Sequence, residues 1–305
     1  MDYFHLLENC TLCPRKCGVN RAKGELGFCQ SGVGYYISSI CIHLGEEPPI
    51  SGSTGICNVF FNHCNLQCVY CQNHQISSNV STTSNEMTLD EILEKIISIL
   101  DQEIPSLGFV SPTQFLPQVM AIIEGLHQRN YHPVIVWNSN GYELPEMIKL
   151  LDKHIDIFLP DFKYSENILA QKYSDAPDYP TIAMEALKTM LFLRGPRLLC
   201  DDEGSAYRGI LIRHLVLPDH TENSLRILKL IAEELSPTVS LSLMSQYYPT
   251  HHASDFPEID KSLKPEEYSK IVQEATRIGF TNLWLQEMDS EQNYRPDFNK
   301  IRPFE

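Results

Sequence analysis

The stretch FFNHCNLQCVYC, at residues 60–71, is the most informative segment of this 305-residue chain. Three cysteines with the spacing C-x3-C-x2-C follow an apolar run over residues 56–61. A four-iron four-sulfur cluster needs four cysteines for saturation, so three leave one iron open. A zinc site usually combines two separated ligand pairs, and no such second pair follows closely, which leaves a structural zinc knuckle as the alternative. The sequence therefore predicts a cluster with an open iron, held by Cys64, Cys68 and Cys71.

Apolar runs of strand length alternate with amphipathic runs of helix length from there on. The first helix begins at Thr88, which has capping-box spacing with Glu91, and apolar residues then recur at helical intervals. Repeated strand–helix units imply a parallel sheet, because each crossover helix returns the chain to the same end of the sheet. We expect strands at residues 56–61, 107–110, 134–137, 155–159, 210–217 and 239–243, and helices at 88–100, 115–129, 145–154, 182–193, 223–235 and 265–278.

Polar segments follow the carboxyl ends of these predicted strands. In parallel barrels the loops at that end carry the chemistry. The sequence therefore favours an α/β fold, an open, partial (β/α)6 barrel, over a flat doubly wound sheet. The segments that follow the first six strands are the cysteine triplet, VSPT (110–113), NSNG (138–141), PDFK (160–163), LPD (217–219) and SQY (245–247).

The chain resembles the radical S-adenosylmethionine (SAM) proteins that are related to pyruvate formate-lyase activating enzyme. The resemblance implies a barrel of the radical SAM type and an oxidoreductase with a 4Fe-4S cluster whose open iron holds the amino and carboxylate groups of SAM. In that family SAM is cleaved reductively to methionine and a 5'-deoxyadenosyl radical, which removes a hydrogen atom from the substrate. The matching segments are HCNLQCVYCQN, FVSPTQFLPQV, WNSNGYE, IFLPDFKY, RHLVLPDH and LMSQYYP, within residues 10–286.

The same resemblance implies which side chains contact SAM. Tyr70, just before the third cysteine, is at the position that packs on adenine. Asn138, Ser139 and Asn140 are in the segment that reaches the ribose and the methionine carboxylate. The structural alternatives are a packed aromatic at Tyr70 and an ordinary turn at the Asn-Ser-Asn-Gly sequence.

Two further loops carry expectations from this resemblance. Asp161 matches a residue that helps to hold a monovalent cation in some activating enzymes, and the alternative is a plain, exposed ion pair with Lys163. Where the superfamily has Gly-Gly-Glu, this chain has Val-Ser-Pro-Thr at residues 110–113. Recognition of the methionine amino group then falls to backbone oxygens or to the hydroxyls of Ser111 and Thr113.

A second cysteine group precedes the predicted barrel, in CTLCPRKCGVNRAKGELGFC at residues 10–29. Four thiols among glycines and charges, with little apolar material, are typical of a small module held by metal instead of a core. The spacing C-x2-C-x3-C-x11-C fits either zinc or an auxiliary iron–sulfur cluster, and free thiols are the alternative. The candidate ligands are Cys10, Cys13, Cys17 and Cys29.

We expect three regions in the chain: a cysteine-rich module with a linker at residues 1–55, the barrel at 56–290 and a C-terminal tail at 291–305. The linker is expected over residues 32–55. The remaining three cysteines are isolated in the sequence and are expected to be buried packing residues. They are Cys41, Cys57 and Cys200.

Charge and cysteine usage limit the partners. The 24 basic and 39 acidic residues leave a formal net charge of −15. Such a surface repels phosphate backbones and anionic headgroups, so we expect no nucleic acid and no membrane as a partner. We find neither a signal-like start nor an apolar run near the ~20 residues of a spanning helix, which predicts a cytoplasmic protein. In that reducing compartment, ten cysteines favour metal ligation over disulfides.

The substrate is not evident from the residues. The resemblance implies an activase that takes hydrogen from a glycine of a partner enzyme, with a reductant such as flavodoxin or ferredoxin. The alternatives are radical SAM modification of another peptide or small molecule, and a non-catalytic metal-holding or electron-transfer adaptor. An adaptor needs no SAM pocket and yields no 5'-deoxyadenosine.

Overall fold

A computed structural model describes residues 3–80, 86–290, 295–300 and 302–304. Its strands are β1 Tyr35–His43, β2 Ile56–Phe61, β3 Glu86–Met87, β4 Ser106–Val110, β5 Val134–Ser139, β6 Ile157–Pro160, β7 Leu199–Cys200, β8 Ala206–Ile210, β9 Ile212–Leu215, β10 Leu241–Met244 and β11 Leu283–Leu285. Its α-helices are α1 Pro48–Ser51, α2 His74–Ser77, α3 Leu89–Leu100, α4 Leu116–Gln128, α5 Pro145–Leu150, α6 Asn167–Ser174, α7 Tyr179–Arg194, α8 Thr221–Glu234 and α9 Pro265–Ile278. Short 3-10 turns lie at Phe4–Leu7, Arg21–Lys23, Thr113–Phe115 and Ala253–Asp255.

The main sheet is built on parallel neighbours, as expected. Its strand order is β3-β1-β2-β4-β5-β6-β8-β7, and the neighbours from β2 to β8 are parallel. The second sheet, β11-β10-β9, is also parallel. A parallel bridge between Asp161 and Arg213 links the two sheets where β6 ends. The α/β fold with a partial parallel barrel is therefore confirmed.

The sheet differs from expectation at its margins. The segment expected to be a linker contains β1, which pairs antiparallel with β2 and has an irregularity between Ile37 and Ser39. Most residues of β1 are only partly buried, so the apolar alternation that identifies a strand is weak there. The expected strand at 210–217 is divided between the end of β8 and β9, and β11 adds a short parallel strand. The division at residues 55 and 290 stays a prediction.

The strand that leads into the cysteine triplet lies in the core. All six residues of β2 are buried. The ring of Phe61 stacks on Phe109 and on Phe115, with centroid distances of 6.3 and 4.7 Å. Beside this strand, α3 begins with the expected capping box, in which Thr88 Oγ1 accepts from Glu91 N at 3.3 Å and the Glu91 carboxylate accepts from Thr88 N at 2.8 Å. The triplet therefore starts from a rigid point of the core.

The three isolated cysteines differ in solvent exposure. Cys57 is fully buried, as expected, but Cys41 is only partly buried and Cys200 is exposed. The expectation of burial is wrong for Cys200 because β7 is a two-residue strand at the edge of the sheet. All ten cysteines lie in described residues, and none of them forms a disulfide. Within the described ranges, no helix combines the length and apolar character needed to cross a bilayer.

Candidate active site

One cavity at the carboxyl end of the parallel strands gathers most of the residues that the sequence singled out. The ends of β2, β4, β5 and β6 meet there. Of the residues expected to bind SAM or the triplet cluster, Thr113 alone is absent from the lining of this cavity. The others line it together: Cys64, Cys68, Tyr70, Cys71, Ser111, Asn138, Ser139, Asn140 and Asp161.

The three thiols of the triplet are each held by a polar partner. Cys64 is 8% exposed, and its sulfur also accepts a hydrogen bond from the backbone N–H of Leu66 at 3.4 Å. Hydrogen bonds to sulfur are a means by which proteins stabilise metal-bound thiolates. The side-chain partners are Asn140 Nδ2, which donates to Cys64 Sγ at 3.4 Å, Ser174 Oγ, which donates to Cys68 Sγ at 3.0 Å, and Ser77 Oγ, which is 3.1 Å from Cys71 Sγ.

Burial shifts the pKa of two of these thiols. Burial raises the pKa of Cys64 to about 12 and that of Cys71 to about 11. Such thiols stay protonated at neutral pH unless a cation stabilises the thiolate, which a metal does by coordination. The three thiols line one cavity, and three cysteines can each bind a separate iron of a 4Fe-4S cluster and leave the fourth iron open.

The buried carboxylate of Glu143 joins two loops of the cavity. Its Oε1 accepts from Trp137 Nε1 at 2.8 Å and from Thr113 Oγ1 at 3.1 Å. Its Oε2 accepts from Ser139 Oγ at 2.5 Å. Burial raises the pKa of Glu143, although these three hydrogen bonds oppose the shift. Since the hydroxyls of Thr113 and Ser139 are used by Glu143, the geometry argues against their direct contact with a cosubstrate. Sequence reasoning missed Glu143, which lies just beyond the NSNG segment.

Asn140 connects the loop after β5 to the cysteine loop. Besides the bond to Cys64, its Nδ2 donates to Asn65 Oδ1 at 2.7 Å. Its Oδ1 accepts from the backbone N–H of Tyr142 at 2.9 Å. Every polar atom of the amide thus has a protein partner, and the side chain positions Cys64.

Tyr70 is both a cavity residue and a packed aromatic. The ring is 5% exposed, and its edge contacts include Tyr173 and Tyr247. Its hydroxyl is 2.6 Å from that of Tyr164. This packing fixes the ring against the wall of the cavity, and its contact with adenine stays a prediction.

A network of charged side chains also lines the cavity. Asp161 pairs with Lys163 Nζ at 2.6 Å and with Arg213 Nε at 3.2 Å, and Arg213 also pairs with Glu46 at 3.1 Å. Burial opposes charge in Asp161, Lys163 and Arg213. Even so, Lys163 and Arg213 hold the pKa of Asp161 below its ordinary value, and Asp161 holds that of Lys163 above its own. The Asp161–Lys163 pair is therefore buried and ionised, not the exposed pair considered from the sequence.

Two members of this network were not identified from the sequence. Arg213 lies on β9 and also donates from Nη2 to Asn138 Oδ1 at 2.6 Å. Glu46 lies before α1 and accepts from Asn58 Nδ2 at 2.9 Å. The only signal for Arg213 is its place in the RHLVLPDH segment, and Glu46 carries none.

Comparisons with known proteins agree with this geometry. Residues 58–193 match the family profile of the Radical SAM superfamily. An uncharacterised protein of Methanocaldococcus jannaschii is 31% identical over 280 residues, which are 90% of this chain and 76% of that protein.

Solved structures share the fold at low identity. HydG, a maturase of the FeFe-hydrogenase, has a TM-score of 0.53 at 12% identity, over 78% of this chain and 53% of HydG. HydG from Carboxydothermus hydrogenoformans has the same TM-score and identity, over 78% of this chain and 55% of that one. This chain spans about half the length of these two structures, and the likeness shows the fold alone.

Close approach of the two loops requires a glycine at position 141. Gly141 has a φ of +76°, and a Cβ there would lie 2.3 Å from the carbonyl oxygen of Asp161. Gly279 also has a positive φ, +100°, but has open space around its Cα. In both Gly→Ala variants the left-handed backbone lowers the free energy of unfolding by roughly 1–2 kcal/mol. We expect Gly141→Ala to lose about 1–3 kcal/mol more in the free energy of unfolding, because only its methyl group meets backbone.

Urea unfolding of the two glycine variants beside the wild type measures this difference. Equal losses in both variants would mean that the loops do not depend on close contact at Gly141.

Proposed function

The chain belongs to the radical SAM superfamily, and on this premise we propose that it is an oxidoreductase that binds a 4Fe-4S cluster and SAM in the cavity behind Cys64, Cys68 and Cys71. The bound cluster supplies the electron that splits the sulfonium of SAM and so gives a 5'-deoxyadenosyl radical for hydrogen abstraction. The observation that carries the proposal is the convergence of three hydrogen-bonded thiols, of which Cys64 is buried, at the carboxyl end of a partial barrel.

The residues around the thiols have a positioning role in this proposal. Asn140, Ser174 and Ser77 direct N–H or O–H groups at the three sulfurs, which favours the thiolate form and holds each side chain in one orientation. Because Asn140 also binds Asn65, it fixes the cysteine loop relative to β5. We infer that this contact sets the position of the open iron relative to the SAM-binding loops.

SAM is assigned to the wall formed by the charged network. Lys163 and Arg213 line the cavity as cations, so we place the methionine carboxylate on their side. The two oxygens of Asp161 are each in an ion pair, one with Lys163 and one with Arg213. Asp161 therefore orients these two cations in our proposal, in place of the cation-holding role inferred from the sequence. The amide of Asn138 is bonded to Arg213 and Glu46, so Ser111 is the remaining candidate for direct contact near this network.

The substrate proposal rests on the sequence resemblance. We propose an activase that takes a hydrogen atom from a glycine of a partner protein, supplied with electrons by flavodoxin or ferredoxin in the cytoplasm. Ten free thiols are in keeping with that reducing compartment. An anaerobic pull-down with SAM and reductant, read by electron paramagnetic resonance, supports this if a glycyl radical appears on the captured protein. Modification of a peptide or small molecule without such a radical would contradict the activase proposal and leave the enzyme class intact.

Loss of any one triplet ligand should abolish SAM cleavage. We expect Cys64→Ala, Cys68→Ala and Cys71→Ala, after anaerobic reconstitution with iron and sulfide, to form no 5'-deoxyadenosine with dithionite. The matched control is Cys200→Ala, since that thiol is exposed and lies outside the cavity. Chromatography of the nucleoside product measures the rate. Wild-type turnover in any single triplet variant would refute the assignment.

Removing one charge from the network should weaken SAM binding. Asp161→Asn removes the anion that orients Lys163 and Arg213 toward SAM. We therefore expect SAM binding to lose about 1–3 kcal/mol of binding free energy, a rise in Kd of roughly 5- to 150-fold. Asp90→Asn is the control, because that carboxylate is paired with Arg129 but is 80% exposed. Calorimetric titration of the reconstituted proteins gives both constants, and iron content verifies equal loading. Unchanged affinity in Asp161→Asn would limit the network to a structural role.

A further inference from the structure

A buried guanidinium faces the N-terminal cysteine group. Arg21 is 1% exposed, and its Nη1 lies 4.0 Å from Cys10 Sγ. Its other hydrogen bonds go to neutral carbonyl oxygens, of Gly32 at 2.5 and 3.1 Å and of Gln114 at 2.6 Å. Among the described residues, no carboxylate forms an ion pair with it. Arginine stays protonated, and a buried charge is stabilised by a counter-charge, which metal-bound thiolates in the cysteine group beside it would supply.

The four cysteines surround one small cavity. Cys10, Cys13, Cys17 and Cys29 line it together with the side chains of Arg15 and Arg21. Neutral thiols would leave the buried guanidinium of Arg21 in this wall without an anion. Four thiolates bound to metal carry net negative charge and match it.

The backbone around Cys17 is shaped for a sulfur that binds metal. A Cβ at Gly27 would lie 2.8 Å from Cys17 Sγ, so only glycine lets this turn approach the thiol. The N–H of Phe28 donates to the same sulfur at 3.3 Å. This bond repeats the one from Leu66 to Cys64 in the triplet loop. Backbone donors to sulfur thus occur in both cysteine groups.

The N-terminal group shares a feature with the triplet loop, a backbone N–H that donates to a cysteine sulfur. Four cysteines saturate a 4Fe-4S cluster, which takes each cysteine on a different iron. We propose that Cys10, Cys13, Cys17 and Cys29 bind a second iron–sulfur cluster, fully ligated by cysteine, whose negative charge is balanced by Arg21.

The cysteine module contacts the backbone of the triplet loop on one side through Arg15 and Phe28. Arg15 Nε donates to the carbonyl oxygen of Asn65 at 3.0 Å. The carbonyl of Phe28 accepts from Asn79 Nδ2 at 2.7 Å, and Asn79 Oδ1 accepts from the N–H of Cys64 at 3.3 Å. A short chain of hydrogen bonds therefore runs from the residue before Cys29 to the backbone of Cys64.

A second contact reaches the residue before the triplet. Arg21 donates to the carbonyl of Gln114, and Gln114 Nε2 donates to the carbonyl of His63 at 3.0 Å. The module thus supports the chain on both sides of Cys64. Its cluster orders the loop that holds the active-site cluster, without contacting SAM.

Metal content of anaerobically reconstituted protein tests the proposal. We expect about eight irons and no zinc in the wild type, and about four irons in the double variant Cys13→Ser, Cys17→Ser. The triple variant Cys64→Ala, Cys68→Ala, Cys71→Ala should also retain about four irons, with a Mössbauer spectrum that SAM does not alter. The control is Cys41→Ser, Cys200→Ser, which removes two thiols from outside both groups and should keep the full iron content.

The triple variant keeps the proposal testable even if the double variant fails to fold, because its N-terminal module is intact. A triple variant without iron, or a wild type with zinc in place of half of its iron, would overturn the second cluster. Either result would leave the proposed function intact as long as the wild type still cleaves SAM. Loss of SAM cleavage with a full iron content would instead contradict the proposed function alone.

Discussion

The burial of thiol groups at the end of β2 is the constraint on which the rest of the barrel depends. A buried thiolate without a cation is costly, and burial already raises the pKa of Cys64 to about 12. Under the proposed function, metal coordination by these thiolates would remove this cost. The stacked ring of Phe61, just before the loop, and the amide of Asn140 then serve to hold the sulfurs at fixed positions.

The remaining loops around the cavity are joined by buried polar and charged side chains. Glu143 bridges the loops after β4 and β5, and Asp161 bridges Lys163 and Arg213. Buried ion pairs seldom add much stability, since desolvation offsets most of the attraction, and breaking one by removing a partner is expensive. Their concentration on one wall of a single cavity is therefore better explained by binding of a charged cosubstrate than by stability. Perturbed pKa values in a cleft are typical of functional sites.

Local sequence patterns were sufficient for the parallel core and for placing the cysteine triplet beside the polar loops at one cavity. The capping box at Thr88 and the apolar repeats of α3 depend on neighbours within a few residues, and they were predicted correctly. By contrast, the role of Arg213 depends on Glu46, which is 167 residues away, and no local pattern reports such a contact. Thr113 was expected to face the cosubstrate, but its hydroxyl turns to Glu143, whose burial was not evident from the sequence. Cys200 was misjudged because edge position depends on the order of strands in the sheet.

The central claim is that the iron left open by Cys64, Cys68 and Cys71 binds SAM directly. Electron-nuclear double resonance on the reduced protein, with SAM labelled by 15N in its amino group and 17O in its carboxylate, tests it most directly. The account predicts hyperfine coupling of both labels to the cluster, and loss of both couplings when any triplet cysteine is replaced by alanine. Bound SAM without coupling from either label would contradict the account.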